Sequence, residues 1–263
     1  MNLAVVGSLS LDRVGGGRPR VGGCPFYAAR GLRAFGASAA IVAKCAATDR
    51  PTLLPPLARF GLPVLWRESS TTTGFSIDYD GEHRWMTIDA LADPWTPTEV
   101  KSLAARWVHV APLARSDFPA ETMAELARGR RVSFDGQGLV RPGRVGPLEP
   151  NLDYDPSVLR HVSILKLAED EAELLVDGLD ERALRQLGVP EVVVTLGSRG
   201  CIVFADGLAE LVRSHRVESP DPTGAGDAFS ATYLAARSSG AAPAAAGRRA
   251  CALVADLLAG RTR

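Results

Sequence analysis

The sequence predicts an α/β fold, a mainly parallel central sheet with helices on both faces and a small antiparallel β lid. Short apolar runs alternate with Ala- and Leu-rich amphipathic stretches along most of the chain. Runs such as Leu3 to Val6 and Glu191 to Leu196 are continuous rather than alternating, as parallel strands buried on both faces require. One segment departs from this pattern. Ser69 to Asp89 is Thr-rich and alternates apolar with polar residues around the turn signal Tyr79-Asp80-Gly81, which predicts a hairpin with one wet face.

Taken in order, Leu3 to Val6 is the first strand, and Pro25 to Phe35 a helix with proline in its first turn and Gly36 as its stop. Ala39 to Ala43 is a strand, Leu53 to Phe60 a helix closed by Gly61, and Val64 to Arg67 a strand. After the hairpin, strands at Val108 to Ala111 and Arg131 to Phe134 flank a helix at Pro119 to Arg128. The Gly- and Pro-rich stretch from Gly136 to Pro150 reads as a long loop of the kind that carries function. Val162 to Leu167 is a strand, followed by helices at Asp170 to Val176 and Arg182 to Leu187. Glu191 to Leu196 is expected to be a central parallel strand, and Gly200 to Arg213 a meander turning at Asp206-Gly207. Ala225 to Arg237 and Ala242 to Leu258 are the last two helices.

With 263 residues, 46% of them hydrophobic, the chain can bury one large core, and a single domain over 1–263 is expected. Lys+Arg and Asp+Glu balance at 30 each, so there is no electrostatic footprint for nucleic acid or an anionic membrane surface. The N-terminus lacks a basic leader, and no apolar run approaches the ~18 residues of a membrane helix. A cytoplasmic, soluble protein is expected. Cys24, Cys45, Cys201 and Cys251 form no C-x-x-C pair and read as buried free thiols. His83, His109, His161 and His215 lack metal-ligand spacing, and the tryptophans read as packing anchors, with Trp85 on the lid able to cover a ring.

The sharpest local pattern is DPTGAGDAF, Asp221 to Phe229, a glycine-containing turn opening directly into a helix. The free N–H groups of Gly224, Ala225 and Gly226 at the positive helix end form an anion cradle, with Asp227 in the first turn. Taken alone, Asp227 could equally complement the helix dipole. Lys166 could touch a phosphate or be a solvated strand-end lysine. Asp135, Gln137 and Arg141 lie where a strand enters the long loop, the place where open α/β sheets bind ligands, though turn-forming and surface roles are equally open.

Five segments in order resemble the ribokinase-like (PfkB) family of carbohydrate kinases. DPTGAGDAF is similar to its C-terminal signature, and VGGCPFYAARGLRAFGA (Val21 to Ala37) to its N-terminal one. VVTLGSRG (Val193 to Gly200) resembles its nucleotide-binding run, ILKLAEDEAELL (Ile164 to Leu175) its K-x-N-x-x-E stretch, and GSLSLDRV (Gly7 to Val14) its first strand. The resemblance implies a kinase that moves the terminal phosphate of ATP, with Mg²⁺, onto a hydroxyl of a small sugar or cyclitol such as inositol.

It assigns Asp227 as general base and the amides of Gly224 to Gly226 as anion hole. Glu171 would hold the Mg²⁺–water shell; Thr195, Gly197, Gly200 and Lys166 would contact the nucleotide. Asp12, Gly22, Gly23, Tyr27, Asp135 and Gln137 would contact the substrate, under a lid formed by residues near 66–93 with part of 13–21. Asp221 and Thr223 resemble positions that hold a monovalent cation such as K⁺ in some members. Monomer and homodimer are both compatible with the resemblance.

Three departures stand out. Ala168 replaces the asparagine of K-x-N-x-x-E, aromatic Phe26-Tyr27 replaces the usual asparagine region of the N-terminal signature, and the segment between Asp12 and Gly22 is short enough to cost the lid a hairpin. The rival readings are a nucleoside kinase of the same family and a catalytically weak sugar- or nucleotide-binding sensor. A dinucleotide oxidoreductase and a P-loop NTPase are set aside, because neither glycine fingerprint is present.

Overall fold

The computed structural model describes residues 2–80, 83–215, 217 and 222–262. The elements run β1 (Leu3–Ser8), β2 (Ser10–Val14), β3 (Arg20–Gly22), α1 (Cys24–Phe35), β4 (Ala40–Ala46), α2 (Arg50–Ala58), β5 (Val64–Ser69), β6 (Thr73–Asp80) and β7 (His83–Ala90). Next come α3 (Pro97–Val100), β8 (Trp107–Ala111), α4 (Ala120–Ala127), β9 (Arg131–Asp135), α5 (Gln137–Val140) and β10 (Gly146–Pro147). They are followed by β11 (Ile164–Ala168), α6 (Glu169–Leu175), α7 (Glu181–Arg185), β12 (Glu191–Thr195), β13 (Gly200–Ala205), β14 (Leu208–Arg213), α8 (Ala225–Ser238) and α9 (Pro243–Leu258).

The larger sheet has the order β14-β13-β12-β11-β9-β8-β1-β4-β5. Its pairings from β12 through β5 are parallel, and β13 and β14 add an antiparallel edge. The continuous apolar runs have the reason anticipated from the sequence. In β12, Val192 and Val194 enter one core while Val193 enters the other, so helices must cover both faces. Helices α3, α4, α6 and α7 contribute to the first core, and α1, α2, α8 and α9 to the second. From β1 the chain moves outward to β4 and β5, then returns to β8 on the other side of β1. That reversal opens a crevice beyond the strand ends, the place where doubly wound sheets bind ligands.

The smaller sheet has the order β10-β7-β6-β2-β3. Residue Leu9 alone separates β1 from β2, so the chain passes directly from the large sheet into the small one. Phe75, Ile77 and Ile88 pack beneath it with Cys24, Ala111 and Leu113. Among the described residues, no helix is long and apolar enough to cross a membrane.

Four expectations need correction. The short segment after Asp12 does not remove a hairpin: β2 and β3 pair antiparallel, Ser10 with Gly22 and Asp12 with Arg20. The smaller sheet is not wholly antiparallel, since β2 runs parallel to β6. The stretch from 136 to 150 is not one loop, because it contains α5 and β10, the latter extending the smaller sheet beside β7. Strand β12 is parallel to β11 but antiparallel to β13, which places it where the sheet changes direction. Gly81, within the predicted hairpin turn, lies outside the described residues.

Lys44 on β4, only 1% exposed, anchors the segment that leaves the smaller sheet. Its ammonium meets Glu99 Oε1 at 2.7 Å and Pro94 O at 3.1 Å, and lies 4.5 Å from the Trp95 ring centre. Removing one partner of a buried pair leaves the other uncompensated. Lys44→Ala is therefore expected to cost about 3 kcal/mol of stability, read from urea unfolding. Lys44→Met combined with Glu99→Gln should recover most of that loss; an equal loss in the double variant would show that the ion pair is not its source.

Candidate active site

Strand β2, the C-terminal ends of β9 and β11 and the first turn of α8 converge on a cleft of about 540 Å³. Its wall includes Ser10, Asp12, Gly23, Cys24 and Tyr27, together with Asp135, Gln137, Lys166 and Glu171. Thr223, Gly224, Gly226 and Asp227 come from the α8 end, and Phe75, Ile77 and Met86 from the smaller sheet. Distant segments of sequence are thus gathered by a topology that brings strand ends, one helix start and one sheet face together.

The α8 start is shaped by two close approaches. Gly224 has φ 79° and lies against the Tyr27 ring, so a side chain there would meet both a left-handed backbone and the ring. A Cβ on Gly226 would come within 3.2 Å of Lys166 Nζ, which locates that ammonium beside the helix N-terminus. The cradle differs from expectation in one member: the Ala225 N–H already donates to Pro222 O at 3.0 Å. Ala225 instead lines a second cavity of about 240 Å³, which shares Pro222 and Gly226 with the cleft. Thr195, Gly197 and Gly200 line this second cavity, opposite the apolar side chains Phe229, Val254 and Leu258. Helix α8 therefore begins between the two spaces.

Lys166 is not a solvated lysine. It is buried, with Nζ 3.4 Å from Asp135 Oδ2. Burial opposes its charge, but Asp135, Glu171 and Asp227 outweigh burial and hold its ammonium more firmly than an ordinary lysine. The Ser230 hydroxyl lies 3.3 Å from Asp135 Oδ2 and 3.0 Å from Gly226 O, tying β9 to the first turn of α8. Glu171 accepts the Ala168 N–H at 2.8 Å. Burial pushes Glu171 up, against the pull of Lys166.

Asp227 is pushed up to about 6, first by burial and then by the Asp135 charge, while Cys24, Lys166 and Arg141 act the other way. The Cys24 thiol lies 3.8 Å from Pro112 O, and burial, with the nearby Asp227 charge, raises it well above its ordinary value. Gln137 donates its amide to Pro112 O at 2.6 Å and to Cys24 Sγ at 3.0 Å, so it orients Cys24 as well as lining the cleft.

Asp12 accepts the Ser10 hydroxyl at 2.7 Å, directly above Gly22, where a side chain would collide with both. Ser10 was not anticipated, although its i, i+2 spacing from Asp12 on β2 places both on one face. Cys24 was expected only as an inert thiol, and Asp170, which also lines the cleft, was not singled out. Thr223 lines the cleft, whereas Asp221, its partner in the expected monovalent-cation site, lies outside the described residues. Among the described residues, no group of three or more His, Cys, Asp and Glu side chains forms a ready-made metal cage. Two carboxylates, Glu171 and Asp170, nevertheless line the cleft beside the helix end. That donor set fits Mg²⁺, which keeps several waters and takes few protein ligands alongside phosphate oxygens.

The doubly wound sheet, the smaller sheet over its strand ends and the helix-end cleft define a kinase of ribokinase-like fold. A solved pyrophosphate-dependent kinase of the ribokinase family, complexed with a pyrophosphate analogue and myo-inositol, superposes with a TM-score of 0.83. It is 25% identical, with 98% of this chain and 95% of that one covered. The Zea mays fructokinase-2 is 27% identical across 87% of this chain and 74% of its own length. A nucleoside kinase of Methanothermobacter thermautotrophicus is 31% identical across 72% of this chain and 61% of its own. The description "pfkB family carbohydrate kinase" matches residues 64–258, and the chain belongs to that family.

The raised Asp227 has a consequence for stability. A carboxyl held near 6 when folded but near ~3.9 when unfolded binds its proton more tightly in the native state. Its contribution is therefore favourable at low pH and is lost as pH rises through 6. Asp227→Asn should melt above wild type at pH 8, with the difference closing as pH falls from 6 to 4. A difference independent of pH in thermal melts would show that Asp227 titrates normally.

Proposed function

We propose that the protein transfers the terminal phosphoryl group of ATP to a hydroxyl of a small neutral polyol, a sugar or cyclitol, with Asp227 as general base. The position of the α8 N-terminus between two cavities carries this reading, because phosphoryl transfer needs a donor and an acceptor on opposite sides of an anion-binding helix end. The cavity beyond Gly197 and Gly200 suits a nucleotide base, with the apolar faces of Phe229, Val254 and Leu258 across from the glycine-bearing turn. The cleft suits a polyol: Ser10, Asp12 and Asp135 offer hydrogen bonds, and Phe75, Ile77 and Met86 of the smaller sheet cover it as a lid.

Mg²⁺, held through water by Glu171 with Asp170, would neutralise charge on the donor phosphates. The residues of the chain divide the remaining work. Lys166 and the Gly226 end of α8 face the phosphoryl group, and Asp227 accepts the proton of the attacking hydroxyl. The lid excludes water that would otherwise compete with the acceptor.

A second reading changes the donor. The superposed kinase that binds a pyrophosphate analogue and myo-inositol, together with the cations Lys166 and Arg141 lining this cleft, supports pyrophosphate as donor. Phosphate release should be followed with Mg·ATP and with Mg·pyrophosphate against sugars, cyclitols and nucleosides. ATP-dependent turnover with one polyol supports the first reading, and turnover with pyrophosphate alone replaces it with the second.

Asp227→Asn should keep donor affinity while lowering kcat by about 10²–10⁴. Unchanged kcat would remove Asp227 from the base role. In wild type, log kcat/KM should rise with pH up to about 6 and then level, because the base works only when deprotonated. A flat profile through that region would assign proton removal to another group.

A further inference from the structure

Arg141 lies just past α5, and its backbone is fastened at both ends. Its N–H donates to Gln137 O at 2.9 Å, and its carbonyl accepts the Arg115 N–H at 3.1 Å. The Arg115 guanidinium in turn binds Leu139 O at 3.0 Å and Asn151 O at 2.8 Å. The turn is therefore rigid while the Arg141 side chain extends into the cleft beside Lys166, Glu171, Gly226 and Asp227. It is partly buried, yet among the described residues its guanidinium makes no hydrogen bond or ion pair. Lys166 differs, because its ammonium is already engaged by Asp135.

A half-buried guanidinium amid carboxylates, with its donors unoccupied, is arranged for an anion that arrives later. It lines the same cleft as Asp227, at the acceptor end, and Glu171, at the donor end. A planar fork of five N–H donors matches phosphoryl oxygens better than a point charge does.

We infer that Arg141 is a catalytic residue that binds the phosphoryl group in transit between donor and acceptor, rather than either molecule at rest. The inference rests on the phosphotransferase reading above. In that step the acceptor oxygen forms its bond to phosphorus as the bond to the bridging oxygen breaks. The acceptor proton passes to Asp227, and the bond's electron pair leaves with the departing diphosphate, or with phosphate if pyrophosphate is the donor. Charge develops on the equatorial oxygens, where Arg141 acts.

The test compares wild type, Arg141→Ala and Arg141→Lys by calorimetric titration with Mg·ADP, in the presence and absence of tetrafluoroaluminate as a planar phosphoryl analogue. Mg with inorganic phosphate serves as the leaving-group probe for the pyrophosphate reading. Wild type should bind the leaving group more tightly with the fluoride complex present. Arg141→Ala should lose about 100-fold of that gain while binding the leaving group alone unchanged, and Arg141→Lys should recover only part. With an acceptor in hand, kcat should fall by a similar factor at constant KM.

Equal gain in wild type and Arg141→Ala would overturn the inference. So would weaker binding of the leaving group alone, which would make Arg141 a ground-state contact, or a raised acceptor KM at constant kcat, which would assign it to an anionic acceptor. Wild type that binds neither leaving group would sink the phosphotransferase reading and this inference with it. Because the Arg141 guanidinium makes no hydrogen bond or ion pair among the described residues, matching urea midpoints for the three proteins are expected and exclude misfolding as the cause.

Discussion

The buried ion pair between Lys166 and Asp135 is the contact around which the cleft is organised. The two residues stand on adjacent parallel strands, β11 and β9, at the ends that face the crevice. Each charge would be expensive to bury alone, and together they become tolerable because Ser230 adds a further hydrogen-bonding group to Asp135. Ser230 belongs to α8, so the same carboxylate that neutralises Lys166 also sets the height of that helix above the sheet. The helix end, its glycine-lined approach and Asp227 follow from that placement.

The charges in the cleft explain why Asp227 is suited to take a proton. Asp135, Glu171 and Asp227 are three carboxylates facing the two cations Lys166 and Arg141, with Asp135 already paired. Asp227 thus feels a neighbouring negative charge as well as burial, and both favour its protonated form. The Cys24 thiol opposes this, and Gln137 holds Cys24 in turn. The carboxyl is consequently raised toward neutrality yet still ionised at neutral pH, as the proposed role in proton transfer requires.

Packing supports the electrostatics. Gly31 of α1 lets that helix approach α8 closely, since a Cβ there would lie 2.9 Å from Ala228 Cα. Tyr27, one turn earlier on α1, fills the space over Gly224. Helix α1 begins directly after Gly22 and Gly23, which lie against Asp12 and Ser8, so one short element links the Asp12 edge of the cleft to the first turn of α8. Substitution of an aromatic residue for the asparagine seen in resembling kinases is therefore tied to how the helices pack, as well as to what the cleft accepts.

Much of the fold was legible in the sequence because it depends on local pattern. Continuous β-branched runs demanded burial on both faces, glycine stops ended α1 and the turn before β5, and DPTGAGDAF marked a helix start with an acid in its first turn. Hydrophobic period and backbone freedom are properties of neighbouring residues, so they survive in one dimension. The β2–β3 hairpin and strand β10 were not legible, since each is too short to display a period and exists only through its partner strand. The family motifs marked Asp227, Glu171 and Asp12 as a set. Only the tertiary structure decided that Lys166 is buried against Asp135, that Gln137 holds Cys24, that Pro222 occupies the Ala225 amide and that Arg141 lines the cleft unpaired among the described residues. Those outcomes depend on distances between residues far apart along the chain, and charge, burial and pairing have no value until such distances exist.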